Sequence, residues 1–134
     1  MGRVHLVSVR IITADIKRLV QFFEDATGIT AKWATDDFAE LSSESFTLAI
    51  GSTRTLAFFG EGVAEPATNK SMIIEFLVEN VDDNYEIIKG LTSEIVQKPT
   101  TMPWGNRSLL FRDPDGNLIN FFTPVSEVAK KKFA

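Results

Sequence analysis

The sequence predicts an α+β fold: two tandem βαβββ modules, their strands forming a curved mixed sheet around a concave cleft with the helices outside. Three observations predict it. Val7–Ile12 leads into a helical run opened by Asp15, and Met72–Leu77 into one opened by Asn80, an offset of 65 residues (80 − 15). Thr55-Leu56-Ala57-Phe58-Phe59 aligns with Leu118-Ile119-Asn120-Phe121-Phe122 at an offset of 63 (120 − 57). Each half then reads strand, helix, short strands. Matched halves of this length are the signature of a duplicated supersecondary unit. They place modules at about 4–60 and 71–124 within a single domain spanning residues 1–134.

Each element has a local reason. Val4–Ile12 is apolar and β-branched, with Ser8 and Arg10 at alternate positions, the pattern of a strand. Asp15 is a helix N-cap, and Ile16, Leu19, Val20 and Phe23 follow at i, i+3, i+4 and i+7. Gly28 closes that helix. Short strands are expected near Thr30–Thr35, Phe38–Ser42 and Phe46–Gly51, with a fourth at Arg54–Phe59. The Gly-, Pro- and Ala-containing stretch 60–70 is the linker. Then the pattern restarts: a strand over Ser71–Glu79, an N-cap at Asn80, acids Asp82 and Asp83 in the first turn, and a buried stripe of Val81, Tyr85 and Ile88. Strands follow near Ser93–Gln97, Arg107–Arg112 and Asn117–Thr123. Asp113-Pro114-Asp115-Gly116 joins the last two as a tight hairpin, with Gly116 in the left-handed position.

Composition narrows the function. A chain of 134 residues that is 44% hydrophobic is long enough for a real core. The net charge of −4 argues against nucleic acid, which rewards clustered positive charge. Lys130-Lys131-Lys132 reads as a solvated tail. Without cysteine there is no thiolate site and no disulfide. No apolar run approaches the roughly 20 residues that span a bilayer, and no signal-peptide pattern opens the chain. The sequence reads as a soluble cytoplasmic protein with neither a nucleic-acid nor a membrane partner.

The duplicated module, closed by Pro103-Trp104-Gly105…Arg107…Asp113-Pro114-Asp115-Gly116-Asn117, resembles the vicinal oxygen chelate superfamily. That group includes glyoxalase I, extradiol dioxygenases, and fosfomycin- and bleomycin-resistance proteins. The resemblance covers about Val4 to Pro124. It implies metal ligands on the first and last strand of each module. The first-strand position falls seven residues before the helix-opening residue, at Ser8 and Ile73. The last-strand position falls four residues after the hairpin glycine, at Asn120, with Ala57 its counterpart by the repeat. A hydroxyl, a branched alkyl, an amide and a methyl do not suit a divalent transition ion, so neither metal nor cofactor is expected. His5 is the single histidine, and strand alternation puts it on the face opposite Ser8.

Alternation also fills in the cleft. With Ser8 stand Leu6, Arg10 and Ile12; with Ile73 stand Glu75 and Leu77. Val7, Val9 and Ile11, and Met72, Ile74 and Phe76, go under the helices. Arg10 and Glu75 are equivalent by the repeat, and two charges in an apolar concavity must either pair with each other or anchor a ligand. Thr55, Ala57 and Phe59, and Leu118, Asn120 and Phe122, complete the lining. Phe22, Phe23, Phe58, Phe76 and Phe121 are expected in the core. In bleomycin-resistance relatives aromatic side chains stack on the ligand, which points to Trp104 and Arg107 in the loop and strand before the hairpin. Trp33 either stacks in that way or covers an apolar edge.

The expected function is metal-independent binding of a small aromatic or amphipathic molecule, in the manner of drug or metabolite sequestration. Ser8, Arg10, Trp33, Ala57, Phe59, Ile73, Glu75, Trp104, Arg107, Asn120 and Phe122 form the candidate site. The alternative is a glyoxalase- or dioxygenase-like enzyme, a lyase or isomerase, working through Arg10 or Glu75 or through an unrecognised metal site. The resemblance implies a homodimer whose clefts use modules of both chains.

Overall fold

Apolar residues at helical spacing bury one face of the first helix, α1 (Ile16–Thr27): Ile16, Leu19, Val20 and Phe23 are all buried. The Asp15 side chain accepts the Arg18 N–H at its start, and Gly28 ends it in the left-handed conformation, φ 74°. A computed structural model of the chain describes residues 3–134. It divides between Thr68 and Asn69 into two units.

The first unit holds β1 (Ser8–Thr13), α1, β2 (Lys32–Thr35), β3 (Phe38–Ser42) and β4 (Thr47–Ser52). They form a four-stranded mixed sheet in the order β1-β4-β3-β2, with β1 parallel to β4. The second unit holds β5 (Ile73–Leu77), α2 (Val81–Ile88), β6 (Ile95–Thr101), β7 (Asn106–Arg112), β8 (Leu118–Pro124) and α3 (Glu127–Lys132). Its sheet runs β5-β8-β7-β6, with β5 parallel to β8. Order and polarity are the same in both units, so the tandem module is real. No described helix is long and apolar enough to cross a membrane.

The second unit follows the sequence reading closely. The Asn80 side chain accepts from the Asp82 and Asp83 N–H groups, and Val81 and Ile88 are buried. Phe121 meets Phe76 and Phe111 edge-on, at centroid distances of 5.4 and 5.1 Å. In the hairpin, one carboxylate oxygen of Asp113 accepts the Asp115 and Asn117 N–H groups, each at 2.9 Å, and the other accepts the Asn117 side-chain amide at 2.8 Å. Gly116 sits at φ 84°. Burial, opposed by these hydrogen bonds, raises the Asp113 pKa above the usual carboxylate value.

Four expectations change. Arg54–Phe59 is no strand: Thr53–Phe58 is a short 3-10 helix. The Ser52 hydroxyl accepts the Arg54 N–H, Thr55 donates back to the Ser52 carbonyl, and the Asp37 carboxylate takes both the Ser52 hydroxyl and the Arg54 guanidinium. Local side-chain bonds of this kind outcompete a strand ladder. Phe58 lies there, 91% exposed instead of buried. The first strand begins at Ser8, and Val4, Leu6 and Val7 before it are exposed, as is Met72 before β5. Lys130–Lys132 belong to α3, where they suit the negative end of the helix dipole. That helix is capped by Ser126 and buries Ala129, so it is docked and not a free tail.

Candidate functional site

The true equivalence of the modules follows from the ladders. Arg10 on β1 lies beside Ala49 on β4, and Glu75 on β5 beside Asn120 on β8. The counterpart of Asn120 is therefore Ala49, at an offset of 71 (120 − 49), and not Ala57. Ala57 lies exposed on the 3-10 helix, outside the sheet. The four positions that family resemblance marks for metal are thus Ser8, Ala49, Ile73 and Asn120. They supply one hydroxyl and one neutral amide. Among the described residues no three His, Asp or Glu side chains converge. This donor set does not fit a divalent transition ion.

In the second unit the helix face of the sheet carries Ile119, Phe121, Leu109 and Phe111. The open face carries Ile73, Glu75, Leu77, Leu118, Asn120, Phe122, Ser108 and Leu110, by direct cross-strand pairing. At its centre Asn120, only 9% exposed, donates through its side-chain amide to a Glu75 carboxylate oxygen at 2.8 Å. A carboxylate only accepts, so this bond fixes which way the amide points. Its Oδ1 is left buried with no hydrogen-bond partner. Glu75 is itself exposed. Flanking it on β5, Ile73 and Leu77 are 51% and 52% exposed. The result is an apolar platform with the Glu75 carboxylate at its middle, one oxygen taken by the Asn120 amide, and the unpartnered Asn120 Oδ1 buried beside it.

In the first unit Ser8, Arg10 and Ile12 share the open face with Thr47, Ala49 and Gly51 of β4 and with Phe38, Glu40 and Ser42 of β3. The Arg10 guanidinium lies 4.8 Å from the centroid of Phe38 and 5.7 Å from that of Phe59. Phe59 reaches this face from the end of the 3-10 helix rather than from a strand. Arg10 is exposed, so neither charge is buried and neither needs the other. Each has its contacts within its own unit.

The remaining candidates stand apart from these rows. Arg107 is opposite Thr123 and in phase with Leu109, on the helix face, where its Nε and Nη2 grip the Asp82 carboxylate at 2.9 and 3.0 Å. The guanidinium holds the Asp82 pKa below its usual value. Trp33 is opposite Ala39, a fully buried core residue, so it too belongs to the helix face, at the sheet's edge. Trp104 is 66% exposed on the turn between β6 and β7. That turn lies beyond Asn106, four residues along β7 from the Leu110–Asn120 pair, or about 14 Å at strand rise. Phe122 is on the open face but only 7% exposed, covered by the Phe133 ring at 5.1 Å. Sequence reasoning missed Phe38, Ala49 and Leu110. The unbroken run of small and apolar residues Leu48-Ala49-Ile50-Gly51, buried throughout beside β1, was the signal that β4, not the later Thr55–Phe59 string, completes the first sheet.

Known proteins agree with this architecture. The family model described as Glyoxalase/Bleomycin resistance protein/Dioxygenase superfamily matches residues 4–121. The chain is 30% identical over 125 residues to the uncharacterized protein YraH of Bacillus subtilis, covering 87% of this chain and 96% of that one. A glyoxalase/bleomycin resistance protein/dioxygenase family enzyme of Burkholderia phytofirmans superposes with a TM-score of 0.76 at 16% identity, over 91% of this chain and all of that one. A protein of unknown function from Agrobacterium tumefaciens gives 0.78 at 21% identity, over 93% and 98%. These two structures share the fold, and the family model carries the assignment: the chain belongs to the glyoxalase/bleomycin resistance protein/dioxygenase superfamily.

Proposed function

We propose that this protein binds a small aromatic or amphipathic molecule without a metal ion, on the open face of its second sheet. The observation that supports this reading is the unpartnered Oδ1 of Asn120 beside the Glu75 carboxylate. A buried acceptor without a partner costs about 1–3 kcal/mol, and a ligand N–H would remove that cost on binding. Glu75 favours a cationic donor, and exposed Ile73 and Leu77 favour an apolar body around it. The ligand class is therefore an amine, amidine or protonated heterocycle on an apolar frame. Sequestration needs no more than this.

A thermal-shift series tests the reading. Benzylammonium and larger aryl amines are expected to raise the melting temperature, and Glu75→Gln to abolish the rise while leaving the fold intact. Ni²⁺, Zn²⁺, Mn²⁺ and Fe²⁺ are expected to do nothing. A ligand at about 100 times its Kd adds about 2.7 kcal/mol. With an unfolding entropy of about 2.1 cal/mol/K per residue, that is a rise of roughly 10 °C for this chain. A chelator-reversible rise of that size with any one metal sinks the proposal.

A second reading has one observation in its favour. Within its unit Glu75 meets a neutral amide and no cation, and one of its carboxylate oxygens lies outside that bond. A lyase or isomerase using Glu75 as general base would show as turnover lost in Glu75→Gln with ligand affinity retained.

A further inference from the structure

The first unit carries a device unlike that of the second. The Arg10 guanidinium is flanked by the Phe38 and Phe59 rings. Its stem crosses bare backbone at Gly51: a Cβ there would stand 3.5 Å from Arg10 Cδ, 3.6 Å from Phe38 Cδ1 and 3.0 Å from Thr55 Oγ1. Three side chains thus gather over the bare backbone of Gly51, with only the Thr55 hydroxyl close enough to resist a Cβ there. The rings hold the guanidinium by cation–π attraction, which uses its faces and leaves its N–H edge available. Among the described residues, the contacts of the Arg10 guanidinium within its unit are with the Phe38 and Phe59 rings, and it makes neither a hydrogen bond nor an ion pair there. A fork of five donors, held in place and unspent, matches an oxyanion. Phe59 is 63% exposed and Phe58 91%, so a flat apolar group has a surface beside the charge. In the same row Ala49 is small and adds no competing acceptor. Glu40, one strand further, is the nearest carboxylate in that row.

We propose that Arg10 anchors an oxyanion, the carboxylate or phosphate of a ligand with an aromatic body, on the open face of the first sheet, with Phe38 and Phe59 as its positioning residues. This extends the small-molecule reading above, and it concerns a different unit and a ligand group of opposite charge.

The test is an NMR titration of the ¹⁵N-labelled full chain with benzoate, phenyl phosphate, inorganic phosphate and benzylammonium. Benzoate or phenyl phosphate is expected to shift the amides of Arg10, Ala49, Gly51 and Phe59. A preference between the two identifies the oxyanion, and binding of inorganic phosphate alone as tightly as phenyl phosphate removes the aromatic part of the proposal. Arg10→Gln is expected to weaken the aryl oxyanions by about tenfold or more, the loss of charge-assisted bonds, and Arg10→Lys by less. Phe59→Leu alters an exposed ring, leaves the fold standing if Arg10→Gln does not, and is expected to weaken the aryl ligands only. Glu75→Gln is expected to leave oxyanion binding unchanged. Equal affinity in Arg10→Gln, or shifts confined to other residues, overturns the proposal. If benzylammonium binds at Glu75 and no oxyanion binds, this inference alone fails; if nothing binds, the functional reading fails with it.

Discussion

Replacing Asn120 with leucine separates a binding residue from a structural one, because the two roles predict opposite signs. Asn120 is 9% exposed and makes a single side-chain hydrogen bond, to Glu75 at 2.8 Å. Glu75 is exposed, so solvent screens that bond and its loss costs about 0.5–1.5 kcal/mol. The same substitution removes the orphaned Oδ1, whose desolvation costs about 1–3 kcal/mol. Leucine has the same branched four-heavy-atom side chain, is somewhat larger, and faces Leu110 across the ladder, so no cavity opens. The balance favours the variant by about 1 kcal/mol, a melting temperature roughly 3–4 °C higher on the entropy scale of a chain this size. Thermal unfolding followed by circular dichroism at neutral pH reads the stability, and a benzylammonium titration reads binding. Asn120→Leu is expected to melt higher and bind nothing. A variant that melts more than about 3 °C lower and still binds would make Asn120 a structural amide and refute the reasoning.

Four further outcomes follow from the geometry. Gly105 sits at φ 96°, and a Cβ on it would fall 2.7 Å from Ser126 Cβ and 3.3 Å from Ala129 Cβ. Gly105→Ala is therefore expected to cost about 2–3 kcal/mol, from backbone strain plus the lost α3 cap, whereas Gly116→Ala, whose Cβ would meet nothing within 4 Å, costs about 1–2 kcal/mol; paired urea melts measure the difference. Arg107→Ala is expected to lower stability by less than about 1 kcal/mol, as for an exposed pair, and to leave ligand affinity untouched. The Asp82 pKa is lowered by Arg107, so the stability it contributes is present above the ordinary value of 3.8 and lost as pH falls through the folded value; acid titration of the stability of Arg107→Ala should lack that component. Asp113 has the opposite sign: its pKa is raised by burial, so its contribution is greatest below 3.8 and declines as pH rises through the folded value, and the stability of the native chain relative to Asp113→Asn should fall over that interval.

The second module was legible almost whole, because its local signals and its tertiary structure agree. Asn80, Asp113 and Gly116 each do in the structure what their residue types do in isolation. The first module misled at one place, for a physical reason. Thr53–Phe58 has strand-like composition, yet the hydrogen bonds from Ser52, Thr55 and Asp37 turn it into a 3-10 helix. The bonds within Ser52–Thr55 are local, but the Asp37 carboxylate that receives the Ser52 hydroxyl lies 15 residues away in sequence and shows only in the fold. The error passed directly into the site, since Ala57 was matched to Asn120 on the strength of a five-residue string. Ladder register corrects it to Ala49. Ser8, Arg10, Ile73, Glu75 and Asn120 were placed on the right faces because period-two alternation fixes a face once one member is known. Arg107 was not, because it was read with the preceding loop although the alternation of β7 puts it in phase with Leu109 and Phe111, and Trp33 was not, because it lies on the edge strand β2 next to a register shift.

The duplicated module carries opposite charges at the equivalent position of its two open faces. At the same register the first sheet reads Arg10, Ala49, Glu40 and the second Glu75, Asn120, Leu110. One row carries the Arg10 guanidinium at its first strand, and the other carries the Glu75 carboxylate. Reversing the charges tests that division of labour. Arg10→Glu is expected to remove oxyanion binding and Glu75→Arg to remove amine binding, each without effect on the other ligand, since the contacts named for each lie wholly within one unit. Measured coupling between the two titrations, with either variant changing both affinities by more than about threefold, would show that the rows act as one site and not as two.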